Sequence, residues 1–372
     1  MIPKIFDDDL FSKIIDEANF YKAYKQTQKG KSKFKPDAMK FALDETYNLA
    51  ELKQSLIDET YEFGGYDTFP VFEPKPRIIN APQYRDKIVQ IAINNVLKEI
   101  YYPCLIFDTY ACIDNKGTHK CVDRIQHFMR KAKWEYGDEA YIIKIDIKKF
   151  FYTIDRDVLK RLLPKKIKCK KTLRLLFKII DSADIIDLLG MPLGNTISQI
   201  CANIYMNETD QYCKRKLSLK YYVRYADDVV IIVKDKQEAS SVLRLIEDFM
   251  IKRLHLNVNA DKTKIFPISQ GINGIGFKIH TTHRLLRDNS KKKIKRKVKK
   301  MRHLLVEGEM AIEKAEQILS SWSGHAGHGD SYSFIQKLIK NNDYIYLNKK
   351  GVLKVDKNKI KKEGVNNVNQ NT

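Results

Sequence analysis

The stretch VRYADDVVII, Val223–Ile232, sets two adjacent carboxylates, Asp227 and Asp228, inside a segment otherwise built for a buried strand. Val223, Val229, Val230, Ile231 and Ile232 are β-branched, which suits a strand covered on both faces. Neighbouring carboxylates repel each other and are costly to desolvate unless a cation or hydrogen-bond donors compensate. Read alone, Ala-Asp-Asp serves equally well as the tight turn of a hairpin, because Asp tolerates turn geometry. The choice between turn and site rests on the rest of the chain.

A second carboxylate sits in YIIKIDIKKFFYTIDRD, residues 141–157, where Asp146 closes a hydrophobic strand with Ile143, Ile145 and Ile147 in alternation. If this strand lies beside the hairpin, Asp146 and Asp227 converge at one edge of the sheet. With Asp228 they make a cluster of hard oxygen donors, which suits Mg²⁺ rather than zinc. Two such ions about 4 Å apart stabilise both the attacking and the leaving oxygen of an in-line phosphoryl transfer.

The charge balance points the same way. Sixty-eight Lys plus Arg against 46 Asp plus Glu leave +22 over 372 residues, with a pI near 9.5, which suits a polyanionic partner. A chain of this length holds two or three small domains or one large interleaved one. A membrane surface is the weaker partner, since no apolar run approaches the roughly 18 residues of a spanning helix. The N-terminus MIPKIFDDDLF is acidic where a signal peptide is basic, so the reading is cytoplasmic and without a membrane partner. Six cysteines without a C-x-x-C pair support neither a disulfide framework nor a zinc ribbon. His325 and His328 have an H-x-x-H spacing, but their flanking glycines read as a loop or helix end, and a closed zinc site needs four ligands.

Along the chain, residues from about 8 to 62 read as helices broken by the basic loop KGKSKFKPD, followed by a strand pair in residues 63–86. A helix stopped by Pro103 and another near Thr118 to Lys133 precede the Asp146 strand. Loop, helix, hairpin and helix follow, with Asp155 as an N-cap, giving an α+β core with helices on one side of a sheet. From Leu285 onward the pattern reads as all-helical, and residues 347–372 as a basic, disordered tail. In KKKIKRKVKKMRHLL, Lys291–Leu305, the residues Ile294, Val298, Met301 and Leu305 form one apolar stripe with Lys and Arg on the other faces. By itself that pattern fits a nucleic-acid-binding, a solvated or a membrane-surface helix.

KIDIKKFF (144–151), GMPLGNTISQ (190–199) and RYADD (224–228), in that order and spacing, resemble the motifs of reverse transcriptases. EPKPRIINAP (73–82) resembles that family's fingers, and SSWSGHAGHGDSYSF (320–334) its thumb. The subgroup it resembles is the reverse transcriptases of bacterial diversity-generating retroelements, relatives of group II intron enzymes. The resemblance implies a right-hand polymerase. Fingers and an N-terminal extension would take residues 1–135, a palm with an antiparallel sheet 136–283, and a helical thumb 284–346.

It further implies Asp146, Asp227 and Asp228 as catalytic carboxylates, with Asp146, Ile147, Asp227 and Asp228 holding two Mg²⁺, for which Mn²⁺ can substitute. Phe151 would be the steric gate against a 2′-hydroxyl, with Phe150 beside it. One of the two rings is core on the plain reading. Lys75 and Arg77 would contact the incoming triphosphate. Gly190 and Gly194 would let the backbone approach the template–nucleotide pair. Leu193 and Gln199 depart from the common family pattern in the manner of the diversity-generating subgroup, which implies altered fidelity. Lys262, or equally Lys264, would protonate the leaving pyrophosphate. INGIGF (272–277) resembles the primer grip, with Gly274 where an aromatic is common. Lys292, Lys295, Arg296, Lys299 and Arg302 would lie along the template–primer backbone.

The function implied is RNA-directed DNA polymerisation, using dNTPs, a template RNA and the RNA/DNA duplex, with an accessory RNA-binding protein as an expected partner. A defence-associated reverse transcriptase of the same lineage shares every one of these residues. A non-catalytic RNA-binding protein on the same fold is disfavoured by the three intact aspartates.

Overall fold

A computed structural model describes residues 9–72, 76–182 and 189–370. The chain forms two compact units that do not follow chain order. The first takes residues 1–117, 143–233 and 237–265, and the second residues 118–142, 234–236 and 266–372.

In the first unit, β1 (Tyr66–Val71) and β2 (Arg77–Pro82) form an antiparallel pair in register from Tyr66 opposite Pro82 to Val71 opposite Arg77. Four further strands, β3 (Tyr141–Ile145), β4 (Tyr221–Tyr225), β5 (Asp228–Val233) and β6 (Lys264–Pro267), make a sheet in the order β4-β5-β3-β6. The division between units runs through β3 and β6, whose residues 143–145 and 264–265 belong here. After the half-buried Asp228, every residue of β5 is buried, as its β-branched run predicts for a strand covered on both faces.

Helix Tyr84–Tyr101 is buried around most of its circumference and packs against helices Glu17–Thr27 and Thr196–Gln211. A helix apolar on nearly all sides belongs in the core rather than on the surface. Its first turn carries the fully buried Asp86, whose carboxylate accepts from the Tyr61 hydroxyl at 2.7 Å and the Gly64 amide at 2.9 Å. Burial still pushes that carboxyl above its ordinary range. Helix Arg156–Leu162 starts where the sequence places its cap, and helix Thr196–Gln211 carries a cap of the same kind. Asp155 accepts from the Val158 amide at 2.9 Å, and Asn195 from the Ile197 amide at 2.8 Å.

The second unit holds helix Thr118–Tyr136 and a three-stranded antiparallel sheet of β7 (Ile272–Gly274), β8 (Phe277–Ile279) and β9 (Arg284–Leu286). Arg284 reaches Asp123 at 2.7 Å and Gln126 at 2.8 Å, and so fastens β9 to that helix. Helices Asp288–Val306, Ile312–Ala326 and Tyr332–Lys340 follow.

Two expectations for this end of the chain are corrected. Leu285 lies in β9, and the region after it is not all-helical, because β10 (Ile345–Leu347) and β11 (Leu353–Val355) form a hairpin. The segment read as a disordered tail from residue 347 supplies part of that hairpin and then helix Lys357–Gln370. A low apolar content misleads here because a few well-spaced residues suffice. Ile345, Leu353, Val355 and Ile360 are all buried, and the Tyr344 hydroxyl donates to the Val298 carbonyl at 2.7 Å.

Ile360, 5 % exposed, is the apolar anchor of that last helix. Ile360→Ala is expected to cost about 2–5 kcal/mol at this contact and to abolish amide-exchange protection across residues 357–363. Unprotected amides there in the wild-type protein would show that the helix is not docked.

Candidate active site

The register of the β4–β5 hairpin ends on Tyr225 opposite Asp228, so Ala226 and Asp227 alone make the connection. Ala226 has φ 55°, a left-handed backbone that costs a non-glycine residue about 1–2 kcal/mol. The two readings of Ala-Asp-Asp therefore coincide, since it is a tight turn and it also presents carboxylates. Arg224 Nη1 donates to the Ala226 carbonyl at 3.1 Å and braces the turn from beneath.

Strand order places β5 directly beside β3, and Asp146 follows the last residue of β3. The chain after β3 is pinned by residues 257–263. The Lys148 amide donates to the Asn257 carbonyl at 2.9 Å and the Asn259 amide to the Asp146 carbonyl at 2.7 Å, and buried Ile147 bridges to Val258. The Asp146 side chain is 13 % exposed. Its Oδ1 accepts from Lys262 Nζ at 2.8 Å and from Asn259 Nδ2 at 3.2 Å.

The charges sense one another. Burial, then the neighbouring Asp228 and then Asp146, push the Asp227 carboxyl up to about 6. The hydrogen bond to Asp146 raises the Lys262 ammonium above its ordinary value, with Asp227 and Asp228 adding to the effect. Between the two lysines that sequence left equal, Lys262 is the one joined to this cluster, while Lys264 opens β6 as an exposed residue.

Among the described residues no three Asp, Glu, His or Cys side chains already stand around one point as ligands, and Asp146 Oδ1 faces Lys262 and Asn259. The donor chemistry nevertheless fits a hard divalent cation. Three carboxylates share one electrostatic neighbourhood, in which burial and the neighbouring Asp228 push the Asp227 carboxyl up to about 6.

The other sequence candidates fall around this centre unevenly. Phe150 is buried and Phe151 half-exposed, with their rings edge-to-face at 5.4 Å. One ring is thus core and the other presents to solvent. Arg77 opens β2 as an exposed residue, and Lys75 lies outside the described residues. Gly190 and Gly194 both lie hard against the protein's own backbone. A Cβ on Gly190 would meet the Tyr152 backbone at 3.1 Å, and one on Gly194 would meet the Ile79 side chain at 2.8 Å and the Asn80 carbonyl at 3.1 Å. Both glycines have positive φ and let the loop press onto the protein's own backbone. The Leu193 carbonyl accepts from the Asn80 amide at 2.7 Å. Gln199 is exposed and lines a cavity with Gln26, Asn94 and Lys98.

Sequence reading passed over the residues that hold these parts in place. Arg156 Nε donates to the Gly190 carbonyl at 2.9 Å, Ser198 Oγ to the Pro192 carbonyl at 2.8 Å, and Asn259 supports Asp146.

In the second unit, Ile294, Val298, Met301 and Leu305 of helix Asp288–Val306 are buried, and Lys292, Lys295, Arg296 and Lys299 are exposed. Arg302, expected among them, is engaged within the unit. Its guanidinium is taken by Glu363 at 3.1 Å and Asp343 at 3.2 Å, a tether for the C-terminal helix. The resembled primer grip is a two-residue hairpin turn, with Gly274 opposite Phe277. The H-x-x-H histidines pack as rings, with His328 stacked on His119 at 3.5 Å and His325 against Phe277 at 4.6 Å.

The raised Asp227 carboxyl has a defined sign for stability. Without metal, ionising it costs the folded state nothing below about pH 4. The cost grows as pH rises towards 6, to at most about 3 kcal/mol above it. Asp227→Asn should therefore raise the thermal midpoint of metal-free protein at pH 7.5 and leave it unchanged near pH 4. Adding Mg²⁺ at pH 7.5 should stabilise wild type and not the variant.

A family model described as reverse transcriptase (RNA-dependent DNA polymerase) matches residues 71–279, more than half of the chain. The COX1/OXI3 intron 2 protein of Saccharomyces cerevisiae is 23% identical over 56% of this chain and 31% of its own length. Protein YkfC of Escherichia coli K12 is 28% identical over 65% of this chain and 73% of its own length. The group II intron-encoded protein LtrA of Lactococcus lactis is 23% identical over 82% of this chain and 63% of its own length. The chain thus spans about a third to three quarters of the lengths of these relatives. With its carboxylate-tipped hairpin set beside the Asp146 strand of a mixed α and β right-hand polymerase fold, the chain belongs to the reverse transcriptase (RNA-dependent DNA polymerase) family.

Proposed function

We propose that this chain copies a template RNA into cDNA as the polymerase of a bacterial retroelement in the group II intron-related lineage. The supporting observation is the meeting of Asp146, Asp227 and Asp228 with Lys262 at the end of the sheet's two central strands. In this reading Asp146, Asp227 and Asp228 hold divalent cations, which supply Lewis-acid stabilisation of the charge that develops on phosphate oxygens. Lys262, kept charged by its carboxylate neighbours, holds a proton ready for the departing pyrophosphate. Phe151, half-exposed beside its buried neighbour, sets the sugar-binding floor and disfavours a 2′-hydroxyl. Arg77 meets the triphosphate as a planar donor fork. The exposed lysines of helix Asp288–Val306 follow the duplex backbone. The proposal includes an accessory RNA-binding protein and a cytoplasmic site of action. Among the described residues no helix is long and apolar enough to cross a membrane.

Purified protein on a primed RNA template should incorporate labelled dNTPs in a Mg²⁺-dependent way. Asp227→Asn with Asp228→Asn should lower that rate at least about a hundredfold, and undiminished incorporation by the variant would refute the site. Phe151→Ala should leave dNTP use largely intact and shift selectivity towards rNTPs about tenfold or more. An unchanged ratio of the two would remove Phe151 from the sugar site.

Charge reversal is the test for the basic helix. Replacing Lys292, Lys295 and Lys299 by Glu should weaken duplex binding and flatten its salt dependence by about 0.7–0.9 logarithmic units for each phosphate no longer neutralised. Arg302→Gln should change the salt slope little and stability more.

A further inference from the structure

Beneath the carboxylate turn lies a fully buried ion pair that packing alone does not explain. Arg224 and Asp210 are both 0 % exposed. The guanidinium grips Asp210 through Nε at 2.8 Å and Nη2 at 2.7 Å. The Tyr222 hydroxyl donates to the same carboxylate at 2.6 Å and Thr109 Oγ1 at 3.2 Å. That leaves Nη1, which donates to Asn203 Oδ1 at 3.1 Å and to the Ala226 carbonyl at 3.1 Å. Asn203 is itself fixed, since its Nδ2 donates to the Ala111 carbonyl at 3.0 Å. The backbone of Arg224 is clamped as well, with its amide donating to the Asp108 carbonyl at 2.9 Å and its carbonyl accepting from the Tyr110 amide at 3.0 Å.

We propose that Arg224, oriented by Asp210 and Asn203, is a positioning residue that aims the Asp227 carboxylate by holding the Ala226 carbonyl. Burying two charges is expensive, and apolar residues of similar volume commonly replace such a pair without loss of stability. A purely structural core therefore has little use for this arrangement. The turn, by contrast, needs an external constraint. Ala226 sits at φ 55°, and a strained residue keeps such a conformation only where its surroundings over-determine it. Asp227 is the very next residue, so any rotation of the 226–227 peptide swings its carboxylate away from Asp146 and Asp228. The task also selects arginine, because only a planar fork reaches a carboxylate on one edge and a backbone carbonyl on the other. Lysine supplies the charge without the second edge.

This inference rests on the polymerase reading only where activity is measured, so the test includes direct metal binding. Arg224→Lys keeps the charge opposite Asp210 and loses the hold on Ala226. The paired change Arg224→Met with Asp210→Leu removes both buried charges. Each variant and wild type would be compared by thermal midpoint, by Mn²⁺ binding followed through the free-ion EPR signal, by anisotropy of a labelled RNA/DNA duplex, and by the Mg²⁺ half-saturation of dNTP incorporation.

The expected result is Mn²⁺ affinity lowered about tenfold or more and Mg²⁺ half-saturation raised to match, with duplex affinity unchanged. The paired variant should stay folded within a few degrees of wild type. A folded variant that binds Mn²⁺ as wild type does would overturn the proposal. So would unfolding of both variants, which would make the pair a stability element first. Wild type that binds Mn²⁺ but incorporates no dNTP would instead overturn the polymerase reading, leaving the Mn²⁺ comparison to decide the role of Arg224.

Discussion

Mutual repulsion among Asp146, Asp227 and Asp228 is the constraint around which the first unit is organised. Like charges drawn together and partly removed from water destabilise the fold unless something offsets them. The protein's own donors supply part of that offset. Lys262 and Asn259 compensate Asp146 directly, while Asp227 responds by rising to about 6. The residual strain is electrostatic, and it is stored where a divalent cation would release it. Perturbed carboxyls of this kind cluster at functional sites for that reason.

Holding that strain demands rigid surroundings, and the rigidity comes from main-chain hydrogen bonds as much as from side chains. The Gly190–Gly194 loop is laid against the backbone of Phe151–Ile154, with the Met191 amide on the Phe151 carbonyl and the Gly190 amide on the Ile154 carbonyl, both at 2.7 Å. Arg156 closes the same loop from the other side. The two glycines are thus required by protein packing against protein. A β-carbon at either position would displace the segment that carries Phe151 or the one that carries Asn80.

The second unit solves a different problem with the same materials. Its basic helix Asp288–Val306 buries one apolar stripe and leaves most of its lysines to solvent. A helix so charged repels itself, and acidic residues from elsewhere in the unit relieve it locally. Asp343 and Glu363 converge on Arg302, and Asp343 also meets Lys359 at 3.4 Å. Residues at the C-terminal end thereby act as structural counter-charges for the helix they pack on.

Local pattern was enough for much of this. The β-branched run after Asp228, the alternation ending at Asp146, the cap at Asp155 and the stripe Ile294–Leu305 are short-range features. Their period and chemistry reveal strand, helix and face without reference to partners. The adjacent aspartates likewise announced an expensive cluster before any geometry was known. Long-range pairing was not legible. Whether β3 lay beside β5, which lysine met Asp146 and which arginine was spoken for all depended on residues from about 40 to over 100 positions apart in the chain. The C-terminal hairpin and helix escaped notice because four buried apolar residues are too few to lift a polar segment above a disordered composition. They fold because the rest of the unit gives them a surface to bury against. Composition and periodicity report what each segment wants locally, while charge pairing and burial are decided only when distant segments compete for the same space.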